Sequence, residues 1–105
     1  DGQLVVPMYL LKHYKEMKLE LNEFVFLMYL YNKGDHFLFD PNKFAEEMSM
    51  DLTEVMELTS HLTDKGFITV EVLKNEKGFM EEVVILENFY NKLKLYYRHN
   101  LYLPD

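Results

Sequence analysis

Hydrophobic positions along this chain follow two rhythms, a helical one over most of its length and a strand-like one in a few short stretches. Leu4-Val5-Val6 is an apolar, β-branched run closed by Pro7, and it predicts a short edge strand. Behind Pro7, which suits the first position of a helix, Met8, Leu11, Tyr14 and Met17 recur at helical spacing. A second helix is expected to start between Glu20 and Asn22, run to Lys33 and stop at Gly34. Its stretch from Phe24 to Tyr31 is apolar on every side, so more than one face must be covered.

Phe37-Leu38-Phe39 is a short strand candidate, and Asp40-Pro41 supplies a cap followed by proline at the first helical position. The helix from Pro41 to Met48 is expected to bury Phe44 and Met48, which stand four apart. Asp51 with Glu54 three residues on resembles a capping box and opens the next helix. Leu52, Val55, Met56, Leu58, Thr59 and Leu62 form the core stripe of that helix, and Gly66 ends it. Phe67 to Leu73 and Phe79 to Glu87 then read as strands joined by Asn75-Glu76-Lys77-Gly78, whose glycine suits a type I turn with a bulge. Val83-Val84-Ile85-Leu86 is apolar on both faces of its strand, which calls for a second cover. A last helix spans about Asn88 to Asn100, with Phe89, Tyr90, Leu93, Tyr96 and Tyr97, before a Leu101-Tyr102-Leu103-Pro104 tail. The fold class is therefore mainly α with a small β-hairpin: a winged helix-turn-helix with an extra N-terminal strand and helix and a C-terminal helix.

At 105 residues the chain fits one domain with one core, residues 1–105. It opens on Asp1 without methionine, which we read as a piece of a longer protein. No run approaches the roughly 20 apolar residues that span a bilayer. The absence of cysteine excludes disulfides and thiolate metal sites, and fits a reducing cytoplasm. The net charge of −7 argues against a whole-surface affinity for nucleic acid or anionic lipid.

Charge also separates the fold from its obvious function. Between Pro41 and Gly66 the basic residues are Lys43 and Lys65, against Glu46, Glu47, Asp51, Glu54, Glu57 and Asp64. The exposed face of the helix that would enter a DNA groove is Thr53, Glu54, Glu57, Ser60, His61 and Asp64, without the Arg, Lys, Asn or Gln that read bases and phosphates. Basic residues gather instead at Lys12, Lys15 and Lys18, at Lys92, Lys94 and Arg98 near His99, and at Lys74 and Lys77 on the wing. We expect Lys12, Lys15, Lys74, Lys77, Lys92 and Arg98 to give at most a weak contact with nucleic acid or an acidic partner. If the terminal helices pack together they form a modest basic strip, and ordinary surface charge on two amphipathic helices is the plainer reading.

Catalytic chemistry does not assemble. His13, His36, His61 and His99 lie on different elements with no nucleophile in a motif beside them, and the Glu46-Glu47 and Glu81-Glu82 pairs diverge on their elements. No metal site, cofactor or enzyme activity is expected; the nearest ligand set, Asp35, His36 and Asp40, lacks a recognised spacing. Unplaced apolar surface is the stronger signal. Leu4, Val5, Val6, Val84, Leu86, Tyr96, Tyr97, Leu101 and Tyr102 are expected to form a self-association interface, the first three adding to a neighbouring sheet. The rival arrangement folds the terminal helix back onto its own domain.

Order and residues together resemble the N-terminal domain of the DnaD family of bacterial primosomal replication proteins. The resemblance rests on Val6-Pro7 through Leu10-Leu11-Lys12-His13-Tyr14-Lys15-Glu16, then Phe39-Asp40-Pro41, Met48-Ser49-Met50 and Lys65-Gly66-Phe67. Family members tend to have Leu-Gly-Leu where this chain has Met17-Lys18-Leu19. The resemblance implies a scaffold that associates with itself and contacts the replication initiator and loader proteins, with DNA bound weakly or through a separate C-terminal domain. The alternative is a winged-helix DNA-binding transcription regulator, using the terminal helices and the wing lysines.

Overall fold

In the computed structural model, which describes residues 2–100, five helices surround a three-stranded antiparallel sheet. Residues 2–7 have no regular secondary structure, so the expected Leu4–Val6 edge strand is absent. A strand needs an edge to pair with, and the backbone of Val5 is hydrogen-bonded to the Asn32 side chain instead of to a strand. Helix α1, Met8–His13, is shorter than expected and leaves Met17 in the turns that follow. Lys18 sits there with φ 68°, the left-handed region that favours glycine. This is where the resembling family carries its glycine, so the lysine holds a strained backbone.

Helix α2, Leu21–Lys33, is the spine of the domain. Glu23 reaches back to accept the Glu20 N–H at 2.9 Å, so the helix start is capped from its third residue. Phe24, Phe26, Leu27, Met28 and Leu30 are buried, which explains a helix apolar on so many sides. Strand β1, His36–Phe39, leads to α3, Pro41–Met48, where the Asp40 carboxylate accepts the N–H groups of Asn42 and Lys43. Helix α3 ends at Ser49 in a left-handed conformation, with the Met50 N–H donating to the Ala45 carbonyl.

Helix α4, Leu52–Asp64, buries Val55, Leu58 and Leu62. Leu52 and Met56, placed in its core stripe from the sequence, are exposed, as is Met48 on α3. The buried stripe is narrow because α4 is covered chiefly along one line, by α2 and α3. The capping box expected from Asp51 and Glu54 does not form, since the Asp51 side chain makes no cap hydrogen bond. Gly66 closes the helix at φ 81°, and a Cβ there would lie 3.3 Å from Lys92 Cε. The Phe67 N–H then returns to the Leu62 carbonyl at 2.9 Å.

Strands β2, Thr69–Lys74, and β3, Met80–Ile85, form the hairpin and are each shorter than the sequence suggests. Asn75 ties the turn, its Oδ1 accepting from Lys77 and Phe79 N–H, and Gly78 takes φ 86°. The sheet order is β1-β3-β2, with Phe37 opposite Val84 and Val84 opposite Val70. β3 is thus the central strand, paired on both edges by its own chain. Val84 and Leu86 are buried within this core, at 1% and 0% exposure, and cannot belong to an interface between copies. β1 and the core helices supply the cover for which a neighbour had been expected.

Helix α5, Glu87–Asn100, buries Phe89 against Tyr31 and Phe67 and then runs back along α1. At the opposite side of the core, Phe26, Phe39 and Phe44 meet edge-on or tilted at 5.2–5.8 Å between centroids.

Candidate interaction surfaces

The face of α4 is laid out as its periodicity predicts: Thr53, Glu54, Glu57, Ser60, His61 and Asp64 are all exposed. What the sequence does not show is that the lysine ending this helix is already engaged. Lys65 Nζ donates to Glu23 Oε1 at 2.5 Å and to the Lys18 carbonyl at 2.8 Å, and His61 Nδ1 lies 3.1 Å from Glu23 Oε2. Burial pushes the Glu23 carboxyl up, but the Glu20 N–H, Lys65 and His61 outweigh it and hold it below the ordinary carboxylate range. The network therefore fastens the start of α2 to the end of α4, and two of the three Lys65 N–H donors are spent within the domain. Glu23 stands at the third position of α2, a capping place legible in sequence, whereas its partners 38 and 42 residues on are not.

The terminal helices do pack side by side. The Tyr9 ring lies 4.7 Å from that of Tyr97 and 6.0 Å from that of Tyr96, and the Tyr96 hydroxyl donates to Glu16 Oε1 at 2.5 Å. His13 Nδ1 meets the other Glu16 oxygen at 2.8 Å. The hydrogen bond to Glu16, together with burial, pushes the Tyr96 phenol up to about 12. Tyr96 and Tyr97 are thus half-buried against their own α1, while Leu101 and Tyr102 lie outside the described residues. Lys12, Lys15, Lys92, Lys94 and Arg98 are exposed on or beside these helices, and Lys92 Nζ sits 5.4 Å from the centroid of the Phe67 ring. Lys74 and Lys77 are exposed on the hairpin, flanked by Glu71 and Glu76.

Apolar side chains remain uncovered at the N-terminal end, where Leu4, Val5, Val6, Met8 and Leu11 are exposed, and on the hairpin, at Val72, Leu73, Phe79 and Met80. Two hollows accompany them. One of about 620 Å³ lies between Tyr29, Lys33, Asp40, Lys43, Glu47 and Glu82. The other, about 340 Å³, is an apolar groove beside α5 lined by Met17, Phe67, Phe89, Leu93 and Leu95. Among the described residues no three His, Asp or Glu side chains come together as a metal site. Asp35, one of the loop residues with ligand chemistry, bonds instead to Tyr90, whose phenol is pushed up to about 12 by burial and then by that carboxylate. No described helix is long and apolar enough to cross a membrane.

Three comparisons bear on these surfaces. Residues 6–101 match the model of the DnaD N-terminal domain. The replicative helicase loading/DNA remodeling protein DnaD of Bacillus subtilis is 30% identical over 99 residues, covering 91% of this chain and 42% of that protein, so the chain spans less than half of its relative. The crystal structure of the N-terminal domain of DnaD from Geobacillus kaustophilus matches with a TM-score of 0.65 and 30% identity, over 93% of this chain and 82% of that one. A mostly helical domain with a small three-stranded sheet, aligned from residue 6 to residue 101, belongs to the DnaD N-terminal domain family.

Proposed function

We propose that this chain is a non-enzymatic self-association and partner-docking domain of a DnaD-like replication-initiation scaffold in the cytoplasm, built on a winged helix-turn-helix. Helix, strand, two helices and a hairpin follow one another in the order of that fold, from α2 to β3. The family match over residues 6–101 carries the reading. The acidic face of α4 supports the turn from DNA to protein contact, because phosphate and base recognition need donors that this face lacks. Partners of the domain are a further copy of itself and the initiator and loader proteins of replication. DNA is contacted weakly, through the basic terminal helices, or by a separate C-terminal domain.

Self-association runs through the terminal elements, where exposed Leu4, Val5, Val6, Met8 and Leu11 follow one another with no charge between them. Light scattering of the 105-residue chain at micromolar concentration tests this. The expected mass is at least twice that of the chain, falling when residues 1–6 or 96–105 are removed. The same preparation is expected to bind duplex DNA weakly and without sequence preference at physiological salt. A monomeric mass with submicromolar, sequence-specific DNA binding lost on changing Thr53, Ser60 and His61 to alanine would establish the regulator instead.

A further inference from the structure

Near the end of α2, Asn32 spends its whole side-chain amide on backbone groups. Its Oδ1 accepts the Val5 N–H at 2.9 Å, and its Nδ2 donates to the Val5 carbonyl at 2.9 Å. The other Nδ2 hydrogen goes to the Met28 carbonyl at 2.7 Å. A peptide offers one donor and one acceptor, so this amide meets Val5 as the backbone of a neighbouring strand would. The bond to Met28 fixes the orientation, because a flipped amide would set N–H groups against the Val5 N–H. Val5 is thereby held in the pairing pattern of a strand that has no partner strand.

The side chains on this held segment face outward, with Leu4 48%, Val5 66% and Val6 40% exposed. Leu21 and Val25, eleven and seven residues before Asn32, share its face of α2 and are also exposed. We propose that Asn32 is a clamp that pre-sets the arm of residues 2–7 for docking by a second copy of this chain, an inference that rests on the self-association reading above. Charge selects the occupant. Each copy carries −7, so two copies approach with least repulsion where neither is charged, and residues 2–11 hold no side chain that is charged at neutral pH. A nucleic acid or an oppositely charged protein finds nothing there to pair with. The clamp acts by removing freedom from the arm before association, so that less ordering entropy opposes docking. Asn32 is a positioning residue: it touches its own arm and not the second copy.

Asn32→Asp is the sharpest test, since it keeps the shape, leaves an acceptor for the Val5 N–H and turns a carboxylate oxygen against the Val5 and Met28 carbonyls. Asn32→Leu removes the clamp without adding charge. Both variants of the 105-residue chain are expected to weaken association about ten-fold by analytical ultracentrifugation. Both are also expected to speed hydrogen exchange at the Val5 amide while thermal unfolding of the body stays near that of the parent. Faster Val5 exchange with unchanged association overturns the proposal, as does a parent Val5 amide that exchanges like an unfolded one. Removal of residues 1–6 separates the two levels: if it leaves association intact, the arm reading has failed. If it abolishes association and the Asn32 variants do not, the clamp alone has failed.

Discussion

Leu62 on α4 and Tyr96 on α5 both anchor a helix, yet they do so in different surroundings. Leu62 is fully buried among the side chains of one continuous apolar core. Tyr96 is half-buried against Tyr9 and held by the Glu16 carboxylate at the surface. The body of α2, α3, α4 and the sheet is thus fixed by apolar burial, to which Leu10 of α1 and Phe89 of α5 also contribute, whereas the outer joints of the terminal layer, arm to α2 and α1 to the far part of α5, are polar and ring contacts that water reaches. Apolar burial is costly to undo, and surface polar contacts exchange readily with solvent or with a partner. The ends proposed above as docking surfaces are therefore where these surface joints lie.

The largest expected effect lies in the body. Leu62→Ala should destabilise by about 2–5 kcal/mol, as a truncation in a packed core does, with Leu58→Ala in the same range. Urea unfolding checks this, and a neutral Leu62→Ala would place the strength of the fold elsewhere.

A smaller effect is expected at Glu23, the polar fastening of the body. Lys65→Met should cost about 1–3 kcal/mol at neutral pH, because a buried carboxylate loses its donor. Glu23 is held below its ordinary value of 4.5, so its contribution is present above that pH and is lost as pH falls through the lower folded value. The gap between parent and variant, measured by urea unfolding against pH, should therefore be full at neutrality and shrink in acid. A pH-independent gap would assign the loss to packing by the lysine stem.

The smallest expected effect belongs to the terminal layer. In Glu16→Gln the Tyr96 phenol should return from about 12 toward 10.0, read by ultraviolet titration of the tyrosines, with little change in stability near neutral pH. The sign follows from the raised value: the hydroxyl contributes below pH 10 and stops as pH climbs through 12. If Glu16→Gln instead unfolds the domain, the terminal layer belongs to the body and the contrast collapses.

Much of the body was legible in the chain. Asp40-Pro41 starts α3, Gly34 and Gly66 stop α2 and α4, and Asn75 with Gly78 turns the hairpin, because capping and left-handed φ depend on the residues at those positions. The acidic exposed face of α4 followed from its period alone. Less was legible at the surfaces. Tyr96 and Tyr97 were placed on an interface from their aromatic character, and only the fold brings them to Tyr9. Asn32 gave no sign, since its partner stands 27 residues earlier in a segment that reads as a strand.

The sequence by itself determined where α2, α3 and α4 begin and end, which of their side chains share a face, and that the exposed face of α4 is acidic, since each is set by neighbours in the chain. The tertiary structure decided that β1 takes the edge of β3, so that Val84 and Leu86 lie inside, that Met48, Leu52 and Met56 lie outside, and that the arm is clamped without becoming a strand. Periodicity names the residues that must be covered. What covers them depends on segments distant in the chain, whose approach no local pattern encodes.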